Sequence, residues 1–207
     1  MSNKGFTLIE LIVVMAVFLI IIGTAVGIFI SIVQHQRRIM SEQELLNQIS
    51  YVVEYMSKAM RMAKTAENDD CIPLGYIYFL TRPDNNTGFY NGIKFINQSD
   101  NNACQEFYLD YIVPDQPSSG FVLKEIKKYS SVDPDDSIAL TSDKIKINFI
   151  KFGINGYSGA VGETIGASEN DDSQPRITIS LDVQIKGDNQ PVKKIQTTVS
   201  QRNLNVE

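Results

Sequence analysis

The N-terminal stretch "KGFTLIELIVVMAVFLIIIGTAVGIFISIV", residues 4–33, decides the fold of this 207-residue chain. From Phe6 to Val33 its only charged residue is Glu10, and the stretch exceeds the roughly 20 apolar residues that a helix needs to cross a bilayer. A charged side chain near the bilayer centre costs about 2.5–3.5 kcal/mol on insertion scales, so an acid here needs a partner. The sequence therefore predicts a membrane-spanning helix over residues 6–33 that carries one unexplained carboxylate.

The helical pattern continues beyond the apolar stretch. Apolar residues recur three or four positions apart, with charged residues between them: Leu45, Leu46, Ile49, Val52, Val53, Met56, Met60 and Ala63. No proline occurs between Phe6 and Cys71, so nothing in the sequence forces a break. We predict that residues 34–66 extend the same helix as an amphipathic segment, whose apolar face packs on a soluble head.

Residues 67–207 are predicted to form that head, which is rich in β-structure. Seven runs are typical of strands: residues 76–81, 92–97, 106–113, 121–129, 144–152, 176–186 and 192–202. Alternation in "KIKINFIKF" and "RITISLDVQIKG" indicates a sheet with one buried face, and "GDNQP" favours a hairpin between the last two strands. The predicted fold class is α+β, with a long N-terminal helix packed on an antiparallel sheet.

Two cysteines, Cys71 and Cys104, both follow the apolar stretch. In an oxidising compartment a disulfide between them would stabilise the fold by about 3–4 kcal/mol, through restriction of the unfolded chain. The alternative is a pair of free thiols. A metal site is less favoured, because the sole histidine, His35, lies far away at the predicted membrane edge.

The charge distribution argues against an extended nucleic-acid-binding surface. The formal net charge is −5, and lysine and arginine form no cluster along the sequence. Five lysines would form a basic patch only if the fold brought them together: Lys124, Lys127, Lys128, Lys193 and Lys194. Nucleic acid is therefore a partner only in the alternative of a specialised binding role.

Enzyme chemistry has no support in the sequence. His35 lies within "QHQRR" on the predicted helix, near the membrane surface, where an interfacial role is favoured over a catalytic one, and no glycine-rich phosphate-binding motif occurs. We therefore predict that the protein is not an enzyme. A membrane-anchored hydrolase, as a remote alternative, would lack an identifiable catalytic group.

Acidic turns supply the favoured candidate metal ligands. Oxygen-rich segments occur at residues 68–70, 133–136 and 169–172, and calcium prefers oxygen ligands. The best candidate ligands are Glu169, Asp171 and Asp172, within a polar segment at residues 155–175 that is too long for a tight turn. Solvated acidic turns are the alternative, and no other cofactor is predicted.

"KGFTLIEL" followed by an apolar helix resembles the class III signal of type IV pilins and of the pseudopilins of type II secretion. The match lies in the short basic leader, the Gly-Phe junction and the Thr-Leu-Ile-Glu sequence. In that family a prepilin peptidase cuts after the glycine and methylates the new N-terminal residue. The resemblance implies a cleaved leader at residues 1–5, cleavage between Gly5 and Phe6, and N-methylation of Phe6.

The resemblance also implies a partner for Glu10. Cleavage would create a charged amine on Phe6, and in filaments of the family the acid of an incoming subunit is thought to meet the amine of a neighbour. A buried charge is much less costly when it is paired. Phe6 and Glu10 are thus expected to act in assembly with other pilin or pseudopilin subunits.

For localisation, the resemblance implies a single-pass protein of the inner membrane, in contact with lipid and an assembly platform, with its N-terminus inside and its head outside. The protein would then enter a pilus or a secretion pseudopilus that serves protein transport. Gly27 occupies the region where major pilins often carry a proline, and "KKIQTTVSQRNLN" is similar to the ends of minor pilins. We predict a minor subunit that initiates or caps a filament; the alternative is an adhesive or DNA-binding tip subunit.

Overall fold

A computed structural model describes residues 5, 7–85, 87–113, 116, 119–129, 136–155, 166–168, 174–186 and 192–202. Within these residues one α-helix, α1 (Leu8–Arg61), precedes ten strands. The strands are β1 (Ala63–Lys64), β2 (Tyr76–Pro83), β3 (Tyr90–Asn97), β4 (Ala103–Tyr111), β5 (Phe121–Lys128), β6 (Ser137–Ala139), β7 (Ile145–Asn155), β8 (Gly166–Ser168), β9 (Arg176–Ile185) and β10 (Lys193–Ser200). The chain forms two compact units, Met1–Glu44 and Leu45–Glu207.

In the first unit, the helix exposes apolar side chains on every side. Leu8, Phe18 and Phe29 are 78%, 55% and 66% exposed, and the most apolar 18-residue window has a mean hydropathy of 3.0 with none of it buried. By length and composition this helix is able to cross a membrane. Its apolar surface requires cover from lipid or from other proteins.

In the second unit, the C-terminal part of α1 packs on the sheet through one stripe of buried residues: Leu45, Ile49, Val52, Met56, Ala59 and Met60. Across the sheet they meet a core that includes Phe95, Phe107 and Leu123. The predicted α+β fold is therefore confirmed. The helix ends at Arg61, before the predicted end at Ala66, because Ala63 and Lys64 form a short strand against β3.

The strands form one antiparallel sheet in the order β10-β9-β7-β5-β4-β3-β2-β8, with β1 on β3 and β6 on β5. All seven strands predicted from the sequence are present. The predicted hairpin is also observed, since β9 and β10 pair from Val183 opposite Lys193 to Arg176 opposite Ser200. Strand β7 also joins β5 and β3 through single pairs, Phe121 with Ile147 and Tyr90 with Phe152.

A disulfide fastens the segment between β1 and β2 to the sheet. The Sγ atoms of Cys71 and Cys104 are bonded, and their Cα atoms lie 5.5 Å apart. Beside this bond a small apolar cluster is formed by Ala66, Ile72 and Ile96. The bridge thus holds a segment of irregular structure against the outer face of β3 and β4.

A buried carboxylate connects α1 to the inner face of the sheet. Glu125 on β5 is 5% exposed, and its Oε1 accepts a 2.7 Å hydrogen bond from the hydroxyl of Tyr55 on α1. The side-chain amide of Gln105 donates to the same oxygen, and Lys127 Nζ lies 3.8 Å from it. Gln105 in turn accepts a 2.8 Å hydrogen bond from Asn97. This network fixes the position of the helix across β4 and β5.

Three titratable side chains of the second unit, Tyr55, Tyr78 and Lys127, have raised pKa values that predict loss of stability at alkaline pH. Burial, together with the hydrogen bond to Glu125, raises the pKa of Tyr55, and burial raises the pKa of Tyr78. Burial lowers the pKa of Lys127, but its hydrogen bonds with Asp100 and Tyr55 and the nearby charge of Glu125 together outweigh that effect and raise the pKa. Because each folded pKa lies above its unfolded value of about 10, the stabilisation is complete below that pH and is lost as the pH rises through the folded values.

We therefore expect the free energy of unfolding to fall between about pH 10 and pH 12, as measured by urea denaturation at each pH. Tyr55→Phe should show a shallower fall, because it removes one of the three titrating groups. A free energy of unfolding that stays constant across this range would contradict the assignment.

Gly92 on β3 lies beside Arg82 on β2, a residue with a strained backbone conformation. Arg82 has a φ of +56°, and its guanidinium carbon lies 4.4 Å from the centre of the Tyr108 ring. A Cβ at position 92 would lie 2.3 Å from Thr81 Oγ1 and 3.1 Å from Tyr108 Cβ. The absence of a side chain at Gly92 therefore allows the side chains of β2 and β4 to pack closely over β3 at this point.

Gly92→Ala is expected to lower the free energy of unfolding by about 1–3 kcal/mol, because a methyl group is forced into a packed region. Gly153→Ala on β7 is the matched control, since a Cβ there meets no atom within 4 Å. Urea denaturation of both variants measures the difference. Equal stability of the two variants would show that the close approach is not needed.

Candidate processing and assembly site

The first turn of α1 begins immediately after the junction predicted to be cut. Thr7 precedes the first helical residue, and its Oγ1 accepts a 3.4 Å hydrogen bond from the backbone N–H of Glu10. The carbonyl oxygen of Thr7 accepts a 3.3 Å hydrogen bond from the N–H of Leu11. Thr7 is therefore the N-cap, which satisfies a donor that the first helical turn otherwise leaves unpaired.

Glu10 occupies the first turn of the helix, where the positive end of the helix dipole favours a carboxylate. The Thr-x-x-Glu spacing from Thr7 to Glu10 is that of a capping box. The Glu10 side chain is exposed, and among the described residues it has no salt-bridge partner. Its carboxylate is therefore accessible to a group from another chain.

The predicted cleavage point is only partly within the described residues. Gly5 is exposed and lies outside regular secondary structure, and a Cβ at this position would meet no atom within 4 Å. Phe6 lies outside the described residues. Two processing steps therefore stay predictions: cleavage between Gly5 and Phe6, and methylation of Phe6. The structure shows that Gly5 is exposed and lies shortly before the capped start of α1.

The capping role of Thr7 was not predicted from the sequence. Its signal was nevertheless present, because threonine followed three positions later by glutamate, before an apolar run, is typical of a helix start. The cap fixes where the first helical turn begins. It thereby sets the position of Glu10 relative to the predicted new N-terminus.

The predicted calcium ligands Glu169, Asp171 and Asp172 lie outside the described residues, as do residues 133–135. In the described acidic turn, Asn68 Nδ2 donates to Asp70 Oδ2 at 2.8 Å, and Asp69 Oδ1 accepts a hydrogen bond of 2.6 Å from the backbone N–H of Leu74. The part of the chain that the structure describes contains no group of three or more histidine, cysteine or acidic residues arranged for a metal. Calcium binding stays a prediction.

The five lysines considered for a basic patch do not converge. Lys124 Nζ lies 2.8 Å from Asp110, and Lys127 Nζ lies 2.7 Å from Asp100, so both charges are paired. Strands β7 and β9 separate β5, which carries three of the lysines, from β10, which carries the other two. The fold therefore does not bring the five lysines together into one basic patch.

Residues 1–26 match the family model described as the prokaryotic N-terminal methylation motif. The chain carries a class III prepilin signal of the type IV pilin and pseudopilin family. Neither the curated proteins nor the solved structures provide a match to it. The motif and the long apolar helix together support a prepilin-like subunit anchored in the inner membrane, in a family of structural subunits.

Proposed function

We propose that this prepilin-like protein is cleaved between Gly5 and Phe6, methylated on the amine of Phe6, and assembled into a type IV pilus or a type II secretion pseudopilus. The observation that carries the proposal is the exposed carboxylate of Glu10 in the first turn of α1, at the start of its apolar N-terminal part. The methylation motif over residues 1–26 supports the processing step.

The physical basis of assembly is a surface that the chain does not cover by itself. The apolar side chains of the first unit are exposed, so they are stable only in lipid or against the helices of other subunits. In either environment the charge of Glu10 is costly unless it is paired. The new amine of Phe6 on a neighbouring subunit supplies the opposite charge once the leader has been removed.

The proposed organisation follows from this role. Residues 1–5 are the leader, residues 6–33 span the membrane and later contact other subunits, residues 34–66 continue the assembly helix, and residues 67–207 are the head. The N-terminus faces the cytoplasm and the head faces the outside, where the disulfide between Cys71 and Cys104 is chemically stable. The partners are the prepilin peptidase, other pilin subunits, the inner-membrane assembly platform and lipid.

We further propose a minor subunit that initiates or caps the filament. This role is supported by Gly27, which stands where major pilins often carry a proline, and by the similarity of the C-terminal strand to that of minor pilins and larger pseudopilins. The alternative of an adhesive or DNA-binding tip depends on residues 155–175, of which 156–165 and 169–173 lie outside the described residues. No described contact favours that alternative.

The proposal is tested by expressing the chain together with a prepilin peptidase and a filament assembly system, and then by probing the sheared filament fraction for the head. The wild-type chain is expected in that fraction. Gly5→Asn should be absent from it, because the junction is no longer a substrate for the peptidase. Gly153→Ala, which changes a glycine in the head, controls for expression and folding and should enter normally. Equal recovery of Gly5→Asn and wild type would contradict the proposal.

A further inference from the structure

A basic cleft lies within the second unit, at the C-terminal end of α1. It has a volume of about 600 Å³. Lys58 and Arg61 from the last turn of the helix line it, together with Ser200 and Arg202 from the end of β10 and the residues that follow. The three basic side chains belong to exposed residues, in a chain whose formal net charge is −5.

The helix end does not require these cations. Basic residues commonly compensate the unpaired carbonyls of a C-terminal turn, but here the carbonyls of the last three helical residues have other donors. The carbonyl of Ala59 accepts a hydrogen bond from Met62 N, and the carbonyl of Met60 accepts one from the hydroxyl of Tyr78. The carbonyl of Arg61 accepts from Arg202 N, and that of Met62, which follows the helix, accepts from Gln98 N. All four bonds measure 2.7–3.1 Å. The side-chain charges are thus left over after the helix has been capped.

No acid neutralises these charges within the part of the chain that the structure describes. Lys58, Arg61 and Arg202 take part in no salt bridge there. Like charges brought together at one cleft repel one another, so the arrangement is unfavourable without an anion. By contrast, Lys124 and Lys127 elsewhere in the head each have a carboxylate partner.

We propose that this cleft binds a phosphate group. Two guanidinium groups offer the planar forks that bind phosphate oxygens in pairs, and the ammonium of Lys58 adds a third charge. Three positive charges match a doubly charged phosphate better than a singly charged carboxylate. The hydroxyl of Ser200 supplies a further polar group at the cleft. The proposal is independent of processing and filament assembly.

The test uses the full chain in uncharged detergent micelles at about pH 7.5, where inorganic phosphate is mostly doubly charged. Sodium phosphate is titrated at constant ionic strength, with chloride as the balancing anion, and the backbone amides of residues 98, 99 and 200–202 are followed by NMR. We expect saturable shifts confined to these amides. Arg61→Gln and Arg202→Gln should each raise the apparent Kd roughly tenfold, because each removes charge-assisted hydrogen bonds.

Lys146→Gln is the matched control, since it removes an exposed positive charge elsewhere on the head and should leave the Kd unchanged. A second arm compares nanodiscs of phosphatidylcholine with nanodiscs that also contain phosphatidic acid, whose phosphomonoester headgroup can carry a second charge. Shifts with inorganic phosphate identify a soluble phosphate as the source, and shifts with phosphatidic acid alone identify a lipid headgroup. No saturable shift in either arm, or the same Kd in the arginine variants and the wild type, would overturn the proposal.

Discussion

Glu10→Ala is expected to leave cleavage after Gly5 intact and to reduce recovery of the chain in sheared filaments by at least about tenfold. Without Glu10, the charged amine of Phe6 on the neighbouring subunit enters the helical bundle with no partner. Leaving one member of a buried ion pair without its partner costs about 3–5 kcal/mol, and about 1.4 kcal/mol already corresponds to a factor of ten. The expected loss is therefore in assembly and not in processing.

The measurement is a quantitative immunoblot of the sheared fraction, normalised to the amount of cleaved subunit in the membrane. Glu54→Ala is the matched control, because it removes an exposed acid from the part of α1 that lies in the second unit. Glu10→Asp keeps the charge on a shorter side chain and should retain more incorporation than Glu10→Ala. If Glu10→Ala entered filaments as well as Glu54→Ala, the proposed pairing would be unnecessary.

Glu125→Ala is expected to lower the free energy of unfolding by about 3 kcal/mol or more. The substitution removes the acceptor of the Tyr55 hydroxyl and of the Gln105 amide, and it removes a carboxylate that lies 3.8 Å from Lys127. Because Gln105 is fully buried, water does not readily replace the lost acceptor. The helix would also lose its hydrogen bond to β5.

Glu125→Gln is the control that separates hydrogen bonding from charge. Its side-chain oxygen can still accept the hydrogen bond from Tyr55, so the expected loss is smaller, about 1–2 kcal/mol. Urea denaturation followed by tyrosine fluorescence suits this measurement, because the chain has nine tyrosines and no tryptophan. Losses below about 0.5 kcal/mol for Glu125→Ala would show that the network does not hold the helix on the sheet.

The regular elements were predictable because their signals are local. The buried stripe of α1 follows the spacing from Leu45 to Met60, and the alternation along β7 and β9 matches the observed strands. The strands β1, β6 and β8 were missed because each has only two or three residues and exists through pairing with a distant strand. The same pairing of β1 explains why the helix ends earlier than predicted.

The candidate site shows the same division between local and distant information. The Gly-Phe junction, Thr7 and Glu10 lie within six consecutive positions, so their pattern is readable in the sequence. The hydrogen bond between Tyr55 and Glu125 joins residues 70 positions apart, and only the three-dimensional fold reveals it. The basic cleft likewise combines the end of α1 with residues that follow β10.

The most direct test of the proposed function is the intact mass of the chain purified from membranes after expression with a prepilin peptidase. The expected mass lacks the first five residues and includes one added methyl group, which fragmentation places on the amine of Phe6. The same chain expressed without the peptidase should keep its leader. A chain that retains residues 1–5 in the presence of an active peptidase, or that is cut elsewhere, would contradict the proposal that it is a processed pilin-type subunit.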